Sequence, residues 1–129
     1  MNVIALSCIC VLGLLLFGLG MAVSAQRFHS RTLDGHSDAP DDPLHKLICA
    51  HANTAEFAPF LAMLMLYLGL QQPAAGTVAL MVAVTLCRGL LVIGLLGGSL
   101  ARPNPLRFIG ALGTYLLGGA LCVVALIER

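Results

Sequence analysis

The sequence predicts an all-α fold, an integral membrane bundle of four helices in a single domain spanning residues 1–129. Two observations predict it. Only 10% of the 129 residues are charged while 59% are hydrophobic, whereas a soluble domain carries about 25% charged residues. The apolar residues also gather into four segments, 3–25, 44–70, 74–98 and 106–127. Each is long enough for a crossing, which takes about 20 residues. A net charge of +1 leaves no electrostatic footprint for nucleic acid, so the expected surroundings are the lipid bilayer.

The first segment, 3–25, is apolar throughout. Val23-Ser24-Ala25 resembles a signal-peptide cleavage site, but Met1-Asn2 supplies no positive n-region and the apolar run exceeds a usual h-region. A retained helix is therefore expected. Residues 26–45 form the one extended polar segment, with Arg27, Arg31, three histidines, four aspartates and two prolines. Asp41-Asp42 before Pro43 is placed to cap the next helix, with proline in its first turn. A metal site from His36, Asp38, Asp41 or His45 lacks any helical ligand spacing, so a solvated loop without metal is expected. The five cysteines (8, 10, 49, 87 and 122) lie in apolar segments and read as small packing residues.

The second segment, 44–70, starts polar and ends apolar, with Pro59 inside it and a kink expected there. At about 100° per residue, Lys46, Cys49, Asn53, Glu56 and Phe60 share one helix face. The third segment is interrupted only by Arg88, and the tight loop 99–105 carries Arg102. In the fourth, Gly110, Thr114 and Gly118 recur every four residues. Such a stripe of small residues lets a neighbouring helix approach closely, and Gly94 and Gly98 do likewise on the third.

Glu56 lies ten residues beyond Lys46, and Arg88 ten before Gly98. With a rise of about 1.5 Å per residue both sit roughly 15 Å deep on antiparallel helices. Ionisable residues at that depth are tolerated when paired or facing a polar cavity. Two readings follow: a Glu56–Arg88 ion pair acting only as a polar staple, or a pair walling a polar pocket where Asn53 and Arg102 meet an anionic ligand.

The run Ala50-His51-Ala52-Asn53-Thr54-Ala55-Glu56-Phe57-Ala58-Pro59, after a polar loop containing Asp34-Gly35, resembles the MAPEG family, the membrane-associated proteins of eicosanoid and glutathione metabolism. Chain length, four spans, the Asn-x-x-Glu helix, the third-span arginine and the arginine of the last loop all share in the likeness, which is to a divergent, bacterial-type member. The resemblance implies a homotrimer of four-helix subunits in a bacterial inner membrane, binding glutathione between subunits near the cytosolic face. It implies a glutathione-contacting role for Asn53 and Glu56, a place near the ligand for His51, and a match of Arg88 to the family's third-span arginine. Arg102 matches the arginine that activates the glutathione thiol, and Lys46 and Arg31 are further cations for its carboxylates. Three positions depart from the pattern. Cys49 replaces an arginine one turn before Asn53, and Leu91 and Leu95 replace tyrosines. The implied activity is a glutathione-dependent transferase or peroxidase acting on a lipophilic substrate. The alternative is a catalytically silent member of the same fold that binds a lipid or another thiol. A small proton-coupled exporter is a third reading, disfavoured because Arg88 at the depth of Glu56 would hold that acid ionised.

Four spans place the loops 26–45 and 99–105 on one side. Arg27, Arg31, Lys46, Arg102 and Arg107 belong to that side and only Arg129 to the other, so both loops are expected in the cytosol. A cysteine placed in either loop should resist a membrane-impermeant thiol reagent applied to intact cells, and modification from outside would reverse the assigned orientation.

Overall fold

The computed structural model describes residues 1–127. Four helices follow one another: α1 (Val3–Ser30), α2 (Pro43–Leu70), α3 (Ala75–Gly97) and α4 (Pro105–Ile127). All four are long and apolar enough to cross a membrane. The two readiest termini to explain are those of α1. Asn2 caps its start, its side chain accepting from the Ile4 and Ala5 amides. Its end lies beyond the expected residue 25, because polarity marks where a helix leaves the bilayer and not where its hydrogen bonds stop. The helix ends where Arg31 turns left-handed (φ 53°) and the Thr32 amide reaches back to the Arg27 carbonyl at 3.0 Å.

α2 begins as the sequence suggests. Asp42 accepts from the His45 amide at 2.8 Å, and Pro43 occupies the first turn, where its missing N–H costs nothing. The helix continues through Pro59. With 28 residues each, α1 and α2 are about 42 Å long and outreach a hydrocarbon core of about 30 Å. The excess carries Gln26–Ser30 and His45–Lys46 into the same polar layer as the loops.

Asn104 performs two tasks at the second of those loops. Its Oδ1 accepts from the Leu106 amide, capping α4, and its Nδ2 donates to the Gly94 carbonyl at 3.1 Å, one of the carbonyls that the end of α3 leaves unpaired. The Leu100 amide donates to the Pro40 carbonyl at 3.0 Å and ties the two long loops together.

Packing divides the bundle into two tight pairs, α1 with α2 and α3 with α4. α3 also touches α1 and α2, whereas α4 meets α2 only sparsely. Glycines set both pairs. Gly69 faces the Ala5 side chain, and a Cβ there would lie 2.8 Å from it. On the α3–α4 seam a Cβ at Gly110 would lie 2.6 Å from the Leu91 nitrogen, and one at Gly94 2.7 Å from the Arg107 nitrogen. Gly113, outside the predicted stripe, receives the Cys87 sulfur, while Gly118 looks toward Leu61 of α2 at an ordinary 3.4 Å. Ala5, Leu12, Met65, Leu68, Met81, Val84 and Leu121 form the larger apolar core, and Leu19, Ala50, Leu91, Val92 and Leu95 a second one nearer the loops.

Gly110→Ala should therefore destabilise the detergent-solubilised protein by about 1–3 kcal/mol, because backbone atoms on both sides must move. Gly119→Ala, whose Cβ meets nothing within 4 Å, should be neutral or mildly stabilising. Equal thermal unfolding of the two variants would mean that the α3–α4 seam is looser than described.

Candidate functional site

Arg88 is the largest of the fully buried side chains, 1% exposed. Its Nη2 donates to the side-chain Oδ1 of Asn53 at 2.8 Å and to the Asn53 carbonyl at 3.0 Å. The guanidinium also lies over the Phe57 ring, 5.3 Å from its centroid, a favourable placement for a desolvated cation. Nε and Nη1 have no hydrogen-bond partner among the described residues. Tyr115 of α4 packs against the same Phe57 ring at 5.6 Å.

The Glu56–Arg88 ion pair expected from depth is not formed: among the described residues no carboxylate lies within 4.0 Å of Arg88. α2 begins at Pro43 and α3 ends at Gly97, so counting inward from the helix ends brings Arg88 level with Asn53 and leaves Glu56 almost a turn deeper. Glu56 is also turned about 60° around the helix from Asn53 and is exposed.

Asn53 and Glu56 nevertheless open onto one cavity of about 1250 Å³, near the loop ends of α2, α3 and α4. His45, Cys49, Asn53 and Glu56 line it along α2, Leu91 and Leu95 from α3, Arg102 and Asn104 from the loop, and Arg107, Phe108 and Ala111 from α4. Its lining combines apolar side chains with two guanidiniums, a carboxylate, two amides and an imidazole. A smaller cavity of about 490 Å³, lined by Asp41, Ser99, Arg102 and Asn104, lies beside it, so Arg102 stands between the two.

The other expected site residues go elsewhere. His51 packs on α1, with its Nε2 3.2 Å from where a Cβ on Gly20 would lie. Lys46 turns back to Asp41, Nζ to Oδ1 3.8 Å. Arg31 is exposed at the left-handed end of α1. None of these three lines the cavity, and Arg88 reaches it through Asn53. Conversely, Arg107, His45 and Asn104 line it although the sequence reading did not assign them to the ligand site. Arg107 is held there by donation from Nη1 to the Leu100 carbonyl at 3.1 Å; its place one turn inside α4, soon after Arg102, was the available signal. Cys49, expected to be a packing residue, lines the cavity with a free thiol. In the polar loop His36 stacks on His45 with ring centroids 4.4 Å apart.

These contacts rank three substitutions. Asn53→Leu strands the Arg88 charge and should cost about 3–5 kcal/mol. Arg88→Leu leaves only neutral acceptors unpaired and should cost about 1–3 kcal/mol, with the double variant losing less than the sum. Glu56→Gln should cost less than either. A loss at Glu56 matching that at Asn53 in detergent unfolding would restore the ion pair and reject the register described.

No curated protein and no solved structure matches the chain. The family model described as MAPEG family matches residues 5–127, almost the full length, and the four apolar helices agree with it. The chain belongs to the MAPEG family and is an integral, multi-pass membrane protein.

Proposed function

We propose that the protein is a glutathione-dependent transferase or peroxidase acting on lipophilic substrates, working as a homotrimer in a bacterial inner membrane with both long loops in the cytosol. The observation that carries the reading is the cavity of about 1250 Å³, lined by Arg102, Arg107, Asn53 and Glu56 together with Leu91, Leu95 and Phe108. Glutathione has two carboxylates and one ammonium. Two guanidiniums and one carboxylate complement that charge pattern, and the apolar side chains in the same lining suit a second substrate arriving from the bilayer.

Arg102 is the group assigned to the thiol. A neighbouring cation favours the thiolate, which is the nucleophile, and the displaced proton passes to solvent. With an electrophilic carbon, a sulfur lone pair forms the S–C bond while the leaving group departs with its bonding pair. With a hydroperoxide, the thiolate takes the terminal oxygen as a sulfenic acid and the alkoxide leaves and is protonated. A second glutathione then closes the disulfide and water is released.

Assembly is supported by Glu56. It lies within a membrane-length helix yet is exposed in the protomer, as are Phe60, Met63 and Tyr67 farther along α2. A carboxylate left against lipid is costly, and further copies of α2 would remove it from the bilayer.

One observation favours a second reading. Cys49, Leu91 and Leu95 line the cavity at positions where the family resemblance implies an arginine and two tyrosines, so a member that binds a thiol or lipid without turnover fits the same walls. Native mass spectrometry in mild detergent with added glutathione, paired with a turnover assay on an aryl halide and an organic hydroperoxide, separates the readings. The expected result is a trimer carrying glutathione, with turnover that falls by at least about tenfold in Arg102→Leu. Only monomer or dimer would reject the assembly, a trimer without ligand would reject glutathione, and ligand without turnover would establish the silent reading.

A further inference from the structure

Asn53 lines the cavity while its Oδ1 is held by Arg88 at 2.8 Å. A guanidinium offers only donors, so the amide atom facing Arg88 has to be the oxygen, and Nδ2 is turned away from it. Nδ2 makes no hydrogen bond among the described residues, yet it is not one of the buried unpaired atoms, which are both on Arg88. It is therefore accessible, on a residue that lines the cavity. The lock is stiff because the same Nη2 also bonds the Asn53 carbonyl at 3.0 Å, and because Arg88, 1% exposed and seated over Phe57, has no room to turn.

We infer that Arg88 is a positioning residue that fixes Asn53 as a hydrogen-bond donor in the cavity, so that the ligand group Asn53 meets is a carbonyl or carboxylate oxygen and never an ammonium. An asparagine free to rotate about its last side-chain bond offers either atom and discriminates poorly. One whose oxygen is pinned by a buried cation offers only N–H, and polarisation by that cation strengthens the N–H as a donor. Glu56, almost one turn along α2 in the same cavity, offers only acceptors when ionised. The two residues thereby divide the ligand's oxygens from its ammonium, and exchanging their roles is blocked by Arg88 from outside the cavity.

The inference rests on the proposed glutathione site, and its test has one arm with ligand and one without. Asn53→Asp keeps an acceptor for Arg88 but cannot donate. Without ligand, its unfolding temperature should equal or exceed that of the wild type, while Asn53→Leu unfolds earlier. In calorimetric titration with glutathione, Asn53→Asp should bind at least about tenfold more weakly, having lost a donor and placed a carboxylate against the ligand's oxygen. Arg88→Leu, measured well below its unfolding temperature, should also bind more weakly because the amide is free to turn, and Arg88→Lys should recover part of the affinity. Binding by Asn53→Asp as tight as that of the wild type would show that Asn53 presents its oxygen and would overturn the inference. Unchanged affinity in folded Arg88→Leu would reduce Arg88 to a structural residue, which overturns it equally. Should Arg88→Leu fail to fold, Asn53→Asp and Arg88→Lys decide alone. Wild-type protein that binds no glutathione would reject the functional reading and the ligand role with it, and the unfolding order would then judge the Arg88–Asn53 lock separately.

Discussion

A guanidinium sealed within an apolar bundle must find acceptors or destabilise the fold, and Arg88 finds them on a single residue of the neighbouring helix. The bundle consists of two tight pairs, α1–α2 and α3–α4, and the contact between α2 and α3 is lighter than that within either pair. Arg88 spans this lighter contact, donating to both oxygens of Asn53. In a membrane, where no hydrophobic force distinguishes one helix neighbour from another, such an interhelical hydrogen bond and close packing are what select a register. The register in turn decides which α2 residues reach the cavity. Cys49, Asn53 and Glu56 do, because the turn that meets Arg88 presents its adjacent face to the groove beside α4.

That groove exists because α4 is drawn toward α3 and away from α2. Gly94 and Gly110 allow backbone-to-backbone approach on the α3–α4 seam and Gly113 admits the Cys87 side chain, while α2 and α4 touch only sparsely. Into the resulting space the loop after α3 carries Arg102 and Asn104. Asn104 fixes that loop by capping α4 and closing the end of α3 together. The hydrogen bond from Leu100 to Pro40 anchors it to the other polar loop. The cavity thus combines residues of one face of α2 with a loop held at both ends.

Membrane class, the number of helices, the Asp42–Pro43 start of α2 and the shared helix face of Cys49, Asn53 and Glu56 were all legible in the sequence. They depend on quantities that are local along the chain: apolar run length, capping chemistry and the spacing of residues on one helix face. The first helix was read too short for an equally local reason, since Gln26–Ser30 are polar but helix-competent, and it is the left-handed turn at Arg31 that stops them.

What the sequence could not determine was every relation between helices. Depth counted from the helix ends is uncertain by about a turn, some 5 Å, which is the difference between Arg88 meeting Glu56 and Arg88 meeting Asn53. His51 was assigned to the site by its place beside Asn53, yet adjacent residues on a helix point about 100° apart, and it packs on α1 at Gly20. Arg107 and His45 enter the cavity only because α4 is drawn along α3 and the two polar loops are joined. The sequence by itself determined the four spans and the chemistry carried on each helix face. Only the tertiary structure decided which faces meet, because that choice turns on backbone approach at a few glycines and on two hydrogen bonds from one buried arginine.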